Sequence, residues 1–541
     1  MQIDTLILNG RIVDGTGNPW RGGDIALSGE RIVAITPAGR LNKDDAKTVI
    51  DATGMVVCPG FVDMLSHSTL ALMYDPRSLS KVTQGVTTEI MGEGWTPAPH
   101  GGKLDLDWIS RRQELAARPE WLERIPTWTQ FRDWLEAMVD VGVSTNVGSY
   151  LGGGTLRRYA MGMEMGHPSE DEKAIMRRLT HESMEQGAMG VSYALVYAPS
   201  AYSGTEEIVD VCKVASQYDG VYVSHLRSEG AALLEALDEA LHIGQEANLP
   251  VEIYHLKAAG KDNWPKLTQL FERVNNARTN GQDVTADMYP YHAMGTGLMA
   301  ILPPWTSAGG NFYKNLRDPE MRAKIIAETM NPSGDWEAMA SMNGPDSVMP
   351  IGLHKPENLQ YIGKPLTEIA DTMGTNWVDA ACELALSEEQ FVSAIFYTMS
   401  EDNVRRKLQQ PWITVGTDAG GTDPEWGERL RGPIHPRTYG SYPRILGKYV
   451  RDEKVLPLEE AIRKMSSAGA QRFNLRDRGL LHEGYFADVV IFDPETIADK
   501  ATYADSHQLS LGVRDVWVNG TKVLDNGTHT GATPGQIVQK R

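Results

Sequence analysis

The 541-residue chain has few cysteines, no long apolar run and fewer basic than acidic residues. Its three cysteines, Cys58, Cys212 and Cys382, are odd in number and widely spaced, so we expect buried, reduced thiols rather than a disulfide framework. Since no stretch of about 18 apolar residues occurs, the sequence predicts no transmembrane helix. The N-terminus alternates like a strand and lacks the basic start of a signal peptide, so we expect a cytoplasmic protein.

The acidic balance also restricts the partners. The formal net charge is −19, which argues against nucleic acid or an anionic membrane surface as a partner. The hydrophobic content of 41% and the charged content of 23% are ordinary for a globular protein. The composition does not indicate an acidic function, and the sequence leaves the oligomeric state open.

Both ends of the chain have the pattern of short antiparallel strands. Alternating runs with Asn-Gly and Asp-Gly turns fill residues 3–50, and similar runs occur at 487–492 and 513–524. Chain termini often lie close together in space. The sequence therefore predicts one β-sandwich built from residues 1–54 and 480–541.

Residues 55–479 alternate between strand-like and helix-like segments, with good helical spacing at 169–186 and 230–247. This order predicts an α/β fold with a (β/α)₈ barrel. The long connection after the seventh strand is rich in Gly, Pro and Met, so we expect a lid at about 293–350. The predicted barrel strands are 55–63, 86–91, 144–150, 189–194, 221–225, 250–255, 283–288 and 412–417.

Three polar residues stand at predicted strand ends. His225 and His255 each end an apolar strand and are each followed by Leu and a second residue with a basic side chain. Alone, each would be interpreted as a hydrogen-bonded structural histidine, but a pair on adjacent barrel strands favours a metal site. Asp418 ends the eighth strand, where it could exchange protons with water and a leaving group, although an Asp before Gly also suits a turn.

Together these segments resemble the metal-dependent amidohydrolase superfamily, and in particular its D-aminoacylase (N-acyl-D-amino-acid deacylase) branch. The resemblance covers nearly the whole chain. Besides the two His-bearing strands, its motifs are Asn9–Gly15, Pro59–Phe61, Asp287–Tyr291, Gly416–Asp418, His435–Arg437 and Gly484–Val490.

Two departures from the family pattern concern the metal. The first position of the usual His-x-His pair is Leu65, so that only His67 remains, as a weak contributor. The position of the branch's metal-binding Cys is Gly94, directly after Glu93. The resemblance with these changes implies a mononuclear Zn²⁺ site of Glu93, His225 and His255. Mn²⁺, Co²⁺ or Fe²⁺ would suit the same ligands, and Glu93 could alternatively be a buried acid that does not bind the metal.

The resemblance also implies substrate contacts. Lys257, Tyr197 and Arg437 match positions that hold the substrate carboxylate or orient the amide, and Tyr289 matches a tyrosine that polarises the scissile carbonyl. Considered without the family, these side chains are better explained as a surface cation, core aromatics and a structural ion-pair partner.

The resulting hypothesis is metal-dependent hydrolysis of N-acyl-amino acids, with D-enantiomers favoured by the resemblance and Asp418 as the proton carrier. Two alternatives stay open. One is an amidohydrolase acting on another amide, a D-peptide, a cyclic imide or a lactone. The other is a non-catalytic ligand-binding barrel whose metal site has decayed, which Leu65 and Gly94 would suit.

Overall fold

The computed structural model describes residues 3–540 except 107–108, 110–111, 113–114, 116 and 333–335. Its strands form one sheet from both chain ends, two parallel sheets in the centre, and a small antiparallel sheet in an insertion. Among the described helices, none is long and apolar enough to cross a lipid bilayer.

The two ends of the chain meet in one nine-stranded sheet, as the turn-rich alternating pattern predicts. Its two halves join where Val489–Phe492 pairs antiparallel with Val56–Pro59. Whether this unit is a sandwich with the predicted boundaries stays a prediction. The strands are Ile3–Ile12, Arg21–Ser28, Arg31–Thr36, Ala46–Asp51, Val56–Pro59, Val489–Phe492, Val513–Val518, Thr521–Asp525 and Thr528–His529.

The predicted strand 55–63 is two strands that belong to different sheets. Val56–Pro59 lies in the terminal sheet, whereas Phe61–Ser66 pairs in parallel with Val86–Met91. The break falls at Gly60, where a Cβ atom would overlap the Thr87 side chain. An apolar run cannot reveal such a change of partner, because both halves are buried.

The central strands pair in parallel in chain order, with helices between them. Asn146–Ser149 ends one three-stranded sheet, and Leu151–Gly152 begins the six-stranded sheet. At the opposite edges, Ser66 bridges Ala419 in parallel, and Asp418 N–H donates to the Leu65 carbonyl at 2.9 Å. The strands are Phe61–Ser66, Val86–Met91, Asn146–Ser149, Leu151–Gly152, Gly190–Ala194, Val221–His225, Val251–Ile253, Val284–Met288 and Ile413–Val415.

The helices around these strands follow the predicted spacing. The helix expected at 169–186 begins after Ser169, whose hydroxyl accepts the Glu172 N–H in a capping box. The helices outside the insertion are Ala71–Tyr74, Leu79–Val82, Glu120–Arg124, Phe131–Val141, Gly153–Met161, Glu170–Glu185, Thr205–Ser216, Leu233–Ala247, Lys266–Thr279, Glu401–Leu408, Pro424–Arg431, Arg437–Arg444, Leu458–Met465 and Ser467–Arg472, with a π-helix at Ile445–Asp452.

The insertion after Val284–Met288 is a folded unit with its own core and extends beyond the predicted lid. Its third strand is supplied by residues well past position 350, and residues 333–335 of the predicted lid lie outside the described part of the chain. Its elements are the strands Met294–Gly297, Val348–Pro350 and Ser393–Phe396 and the helices Phe312–Arg317, Pro319–Met330, Leu366–Met373 and Trp377–Glu388.

Candidate metal centre

The two histidines predicted as ligands lie side by side. His225 is the last residue of the strand Val221–His225. The strand beside it in the sheet is Val251–Ile253, and His255 lies two residues after the end of that strand. Their ring centroids are 4.3 Å apart, and the ring planes are nearly perpendicular. His255 has a positive φ of 32°, and its N–H donates to the Asp287 carboxylate at 2.9 Å. The sheet therefore brings two buried imidazoles to one point.

Glu93 reaches the same point from the end of the second parallel strand. It stands between Gly92 and Gly94, both with positive φ, and Ser192 Oγ accepts the Gly94 N–H at 2.9 Å. Glu93 Oε1 lies 2.9 Å from His225 Nδ1 and 3.2 Å from His255 Nε2. The flanking glycines thus allow a tight turn that aims the Glu93 carboxylate at both rings.

The chemistry of this set fits a divalent transition metal. One ligand atom from each of Glu93, His225 and His255 lies within 4.8 Å of the other two. Two imidazole nitrogens and one carboxylate oxygen are a ligand set of catalytic zinc sites, which keep a further position open. The three side chains are buried, so a bound cation would offset a carboxylate held away from water.

A second group overlaps the first through Glu93. His67 Nε2 lies 3.1 Å from Glu93 Oε2 and 2.8 Å from Asp418 Oδ1. These three residues also satisfy the distance criterion for a metal site, with His67 partly exposed. The two oxygens of Glu93 therefore face different groups, one towards the buried histidine pair and one towards His67 and Asp418.

Asp418 is held in its ionised form by its neighbours. Burial would raise the pKa of Asp418, but the Arg437 guanidinium and the nearby histidines outweigh it and lower the pKa to about 2. For His67, burial acts to lower the pKa, whereas the hydrogen bonds with Asp418 and Glu93 raise it to about 9. Burial lowers the pKa of His225, which favours the neutral form that binds metals.

Arg437 and Tyr289 stack beside Asp418. Arg437 NH1 lies 2.7 Å from Asp418 Oδ2, and its guanidinium lies over the Tyr289 ring at 4.7 Å from the centroid. The ion pair is short, but its angle is not that of a hydrogen bond, so Nε and NH1 of Arg437 have no hydrogen-bond partner among the described residues. The buried Tyr289 hydroxyl likewise has none there. Both groups therefore offer donors inside the cavity.

Lys257 and Tyr197 also line the cavity, although both already have partners. Lys257 Nζ donates to Glu229 Oε1 at 2.6 Å and lies 2.6 Å from His255 Nδ1. The Tyr197 hydroxyl lies 2.7 Å from Thr296 Oγ1 of the insertion. Lys257 is thus buried against the histidines rather than exposed as a surface cation.

All residues predicted for the site lie on one cavity of about 520 Å³. The residues matched by resemblance alone are therefore in contact with the same space as the residues predicted from their strand ends. The set is His67, Glu93, Tyr197, His225, His255, Lys257, Tyr289, Asp418 and Arg437.

Sequence reasoning missed two buried charged groups beside this cavity. Glu229 lies 3.1 Å from His255 Nδ1, and its only local signal is an acid four residues after His225. Lys81 pairs with Asp63 at 2.5 Å and donates to the Ala419 carbonyl at 2.6 Å. A lysine in a short helix carries no sign that it is fully buried.

Comparisons with known proteins identify relatives of the chain over its whole length. Residues 384–524 match the model of the amidohydrolase family. The chain is 33% identical over 545 residues to the N-acyl-D-aspartate deacylase of Alcaligenes xylosoxydans xylosoxydans, covering 99% of this chain and 95% of that protein.

Two solved structures are similar over their whole length. A D-aminoacylase, described with a binuclear metal centre, has a TM-score of 0.81 and 30% identity, covering 99% of this chain and 100% of that one. The N-acyl-D-glutamate deacylase of Bordetella bronchiseptica, in complex with zinc and a phosphonate inhibitor, has a TM-score of 0.80 and 29% identity, covering 99% of each chain.

Proposed function

The chain belongs to the D-aminoacylase branch of the metal-dependent amidohydrolases, and on that premise we propose that it hydrolyses the amide bond of N-acyl-D-amino acids, releasing the free amino acid and a carboxylic acid. The observation that carries the proposal is the convergence on one cavity of the Glu93, His225 and His255 group, ionised Asp418 and the donors of Arg437 and Tyr289.

We propose one Zn²⁺ held by Glu93, His225 and His255, with His67 as a weak additional contact. The ligand set, the burial of all three groups and the zinc in the related N-acyl-D-glutamate deacylase support this assignment. When bound, such an ion supplies Lewis-acid polarisation of a carbonyl and makes water more acidic. Leu65 in place of a histidine supports a count of one, because an aliphatic side chain cannot act as a ligand.

Asp418 is proposed as the general base and then the general acid. Its pKa of about 2 keeps it ionised at neutral pH, so it can accept a proton from the attacking water. The same carboxyl group can then deliver that proton to the leaving nitrogen. Its Oδ2 faces Arg437 and its Oδ1 faces His67, which orients the carboxylate in the cavity.

Tyr289 and Arg437 are proposed to bind the two ends of the substrate. Burial raises the pKa of Tyr289 well above its ordinary value, so the hydroxyl keeps its proton and can donate to the carbonyl oxygen as negative charge develops. The guanidinium of Arg437 suits the free carboxylate of the amino acid, with Lys257 and Tyr197 as further contacts. A small carboxylate-bearing substrate fits a cavity of about 520 Å³.

For the architecture, we propose that the parallel strands form one closed (β/α)₈ barrel covered by the insertion as a lid, with the terminal sheet folded as a sandwich. The chain-order pairing and the contact between Ser66 and Ala419 support closure. The contact of Tyr197 with Thr296 of the insertion supports a lid over the cavity.

The test is release of free amino acid by zinc-reconstituted protein from matched D and L pairs of N-acetyl amino acids with acidic and with apolar side chains. We expect release from D members only, and none from the Asp418→Asn variant. If the protein binds zinc but releases amino acid from none of the pairs, its substrate is another amide. If it does not bind zinc, a decayed metal site is favoured.

A further inference from the structure

Glu229 stands behind the two histidines, on the side away from Glu93. It lies four residues after His225 and is buried, with a side-chain exposure of 4%. Its Oε1 is 3.1 Å from His255 Nδ1, and its Oε2 is 3.7 Å from His225 Nε2. One carboxylate therefore faces both rings, with a separate oxygen for each.

The nitrogens facing Glu229 are the ones that the proposed metal centre would not use. Glu93 faces Nδ1 of His225 and Nε2 of His255, and a cation bound by Glu93 and these two nitrogens would leave the proton of each neutral ring on the opposite nitrogen. His225 Nε2 has no hydrogen-bond partner among the described residues, since 3.7 Å exceeds hydrogen-bond length. A small approach of Glu229 Oε2 would satisfy it. The partner of the non-ligating N–H fixes the tautomer and orientation of a metal-binding histidine.

The Lys257 ammonium lies on the other side of Glu229. Its Nζ atom is 2.6 Å from Glu229 Oε1, the oxygen that faces His255, and 2.6 Å from His255 Nδ1. If His255 accepted from Lys257, its proton would sit on Nε2, which could then bind no metal. A metal on Nε2 would move that proton to Nδ1, where it and the Lys257 ammonium would both have Glu229 as their acceptor.

The insertion holds the main chain that carries Glu229. Glu337 Oε2 accepts the N–H groups of Glu229 at 2.7 Å and of Gly230 at 3.2 Å. A Cβ atom at position 230 would lie 2.8 Å from Glu337 Oε1, so the approach suits glycine. The Ala259 N–H, four residues after His255, also donates to the Glu229 carbonyl at 2.8 Å. The insertion is therefore hydrogen-bonded to the segment after His225 and, through Glu229, to the segment after His255.

We propose that Glu229 is a positioning residue that sets the tautomer and orientation of both His225 and His255, and that Glu337 of the insertion keeps Glu229 in place. The inference rests on the proposed metal centre. It adds a carboxylate that holds the two histidine ligands, and it makes part of the zinc affinity depend on the insertion.

The experiment measures zinc affinity by competition with a chromogenic chelator in full-length wild type, Glu229→Gln, Glu337→Gln and Glu388→Gln. Glu388 is the matched control, because it is a buried carboxylate of the insertion that also accepts two main-chain N–H groups, from His354 and Lys355. We expect Glu229→Gln to bind zinc roughly 10 to 100-fold more weakly. Glu337→Gln should lose roughly 3 to 10-fold, because a neutral amide replaces a charged acceptor. Glu388→Gln should match the wild type.

The outcomes separate the two proposals. Wild-type zinc affinity in both Glu229→Gln and Glu337→Gln would overturn this inference while leaving the metal centre intact. A wild type that binds no zinc would overturn the centre and the inference together. Should Glu229→Gln fail to fold, weaker binding in folded Glu337→Gln than in Glu388→Gln supports the inference, and equal binding overturns it.

Discussion

The cavity has two sides with opposite ways of balancing buried charge. On the side of His225 and His255, the charged partner of Lys257 is Glu229, whereas the recorded contacts of the Glu93 carboxylate are with imidazoles, so its ligand set suits an added cation. On the side of Phe61–Ser66 and Ile413–Val415, the chain supplies its own cation. There Lys81 pairs with Asp63 at 2.5 Å, with both side chains fully buried.

The second side is also complete in its hydrogen bonds. Asp63 Oδ1 accepts the Thr417 N–H at 2.8 Å. Glu89 accepts from hydroxyl groups of Ser66, Ser68, Ser78 and Thr145. A buried charge is tolerated when it is paired and hydrogen-bonded, which this side achieves without a ligand. Leu65, which cannot act as a ligand, therefore lies in a charge-balanced wall, the side of Phe61–Ser66 and Ile413–Val415, whose Asp63 and Lys81 also hold the main chain on either side of Asp418.

The largest expected effect separates chemistry from metal binding. Asp418→Asn removes the proton acceptor, so kcat should fall by roughly 10² to 10⁴-fold in the amino-acid release assay. Bound zinc, measured by atomic absorption after dialysis, should stay near the wild-type level. Asp423→Asn, which changes a helix-capping carboxylate five residues on, should leave kcat unchanged. Loss of zinc from Asp418→Asn would instead make Asp418 a ligand.

The next largest effect is on zinc affinity, which should depend more on the His225 side of the cavity than on the His67 side. His225→Ala should weaken zinc binding by roughly 10² to 10³-fold, because one of three protein ligands is removed. His67→Ala should weaken it by less than about tenfold. Chelator competition on both variants measures the difference. Equal losses would show that the group of His67, Glu93 and Asp418 contributes as much as the histidine pair.

Lys81→Met should destabilise the fold because it leaves Asp63 buried without its partner. The expected loss is about 3–5 kcal/mol in free energy of unfolding, measured by urea denaturation followed by fluorescence and circular dichroism. The double variant Lys81→Met with Asp63→Asn should recover most of it, since both charges are then gone. Wild-type stability in the single variant would contradict the view of this side as a charge-balanced wall.

The smallest effect concerns pH in metal-depleted protein. The pKa of His67 is raised from 6.5 to about 9, so its contribution is fully present below pH 6.5 and is lost as the pH rises through 9. With the side chain 37% exposed, we expect only about 1 kcal/mol. The stability difference between wild type and His67→Gln should shrink from pH 6 to pH 10. A difference that does not change with pH would mean that His67 is not charged in the fold.

Much of the site was predictable because strand ends carry a local signal. His225, His255 and Asp418 each follow an apolar run, and parallel strands bring their carboxyl ends to one edge. Lys257 and Tyr197 were predicted to line the site by resemblance, yet their observed partners, Glu229 and Thr296, were not. A partner that is distant in sequence leaves no mark on local periodicity.

The order of strands and helices, the alternation at both ends and the residues at the strand ends could be predicted from the sequence, because they follow from hydrophobic periodicity and turn chemistry. The folded chain was needed to show that the run around Gly60 divides between two sheets and that Lys81 neutralises Asp63. The reason is physical. Periodicity reports which face of an element is buried, whereas the partner of a buried charge depends on which distant segments meet.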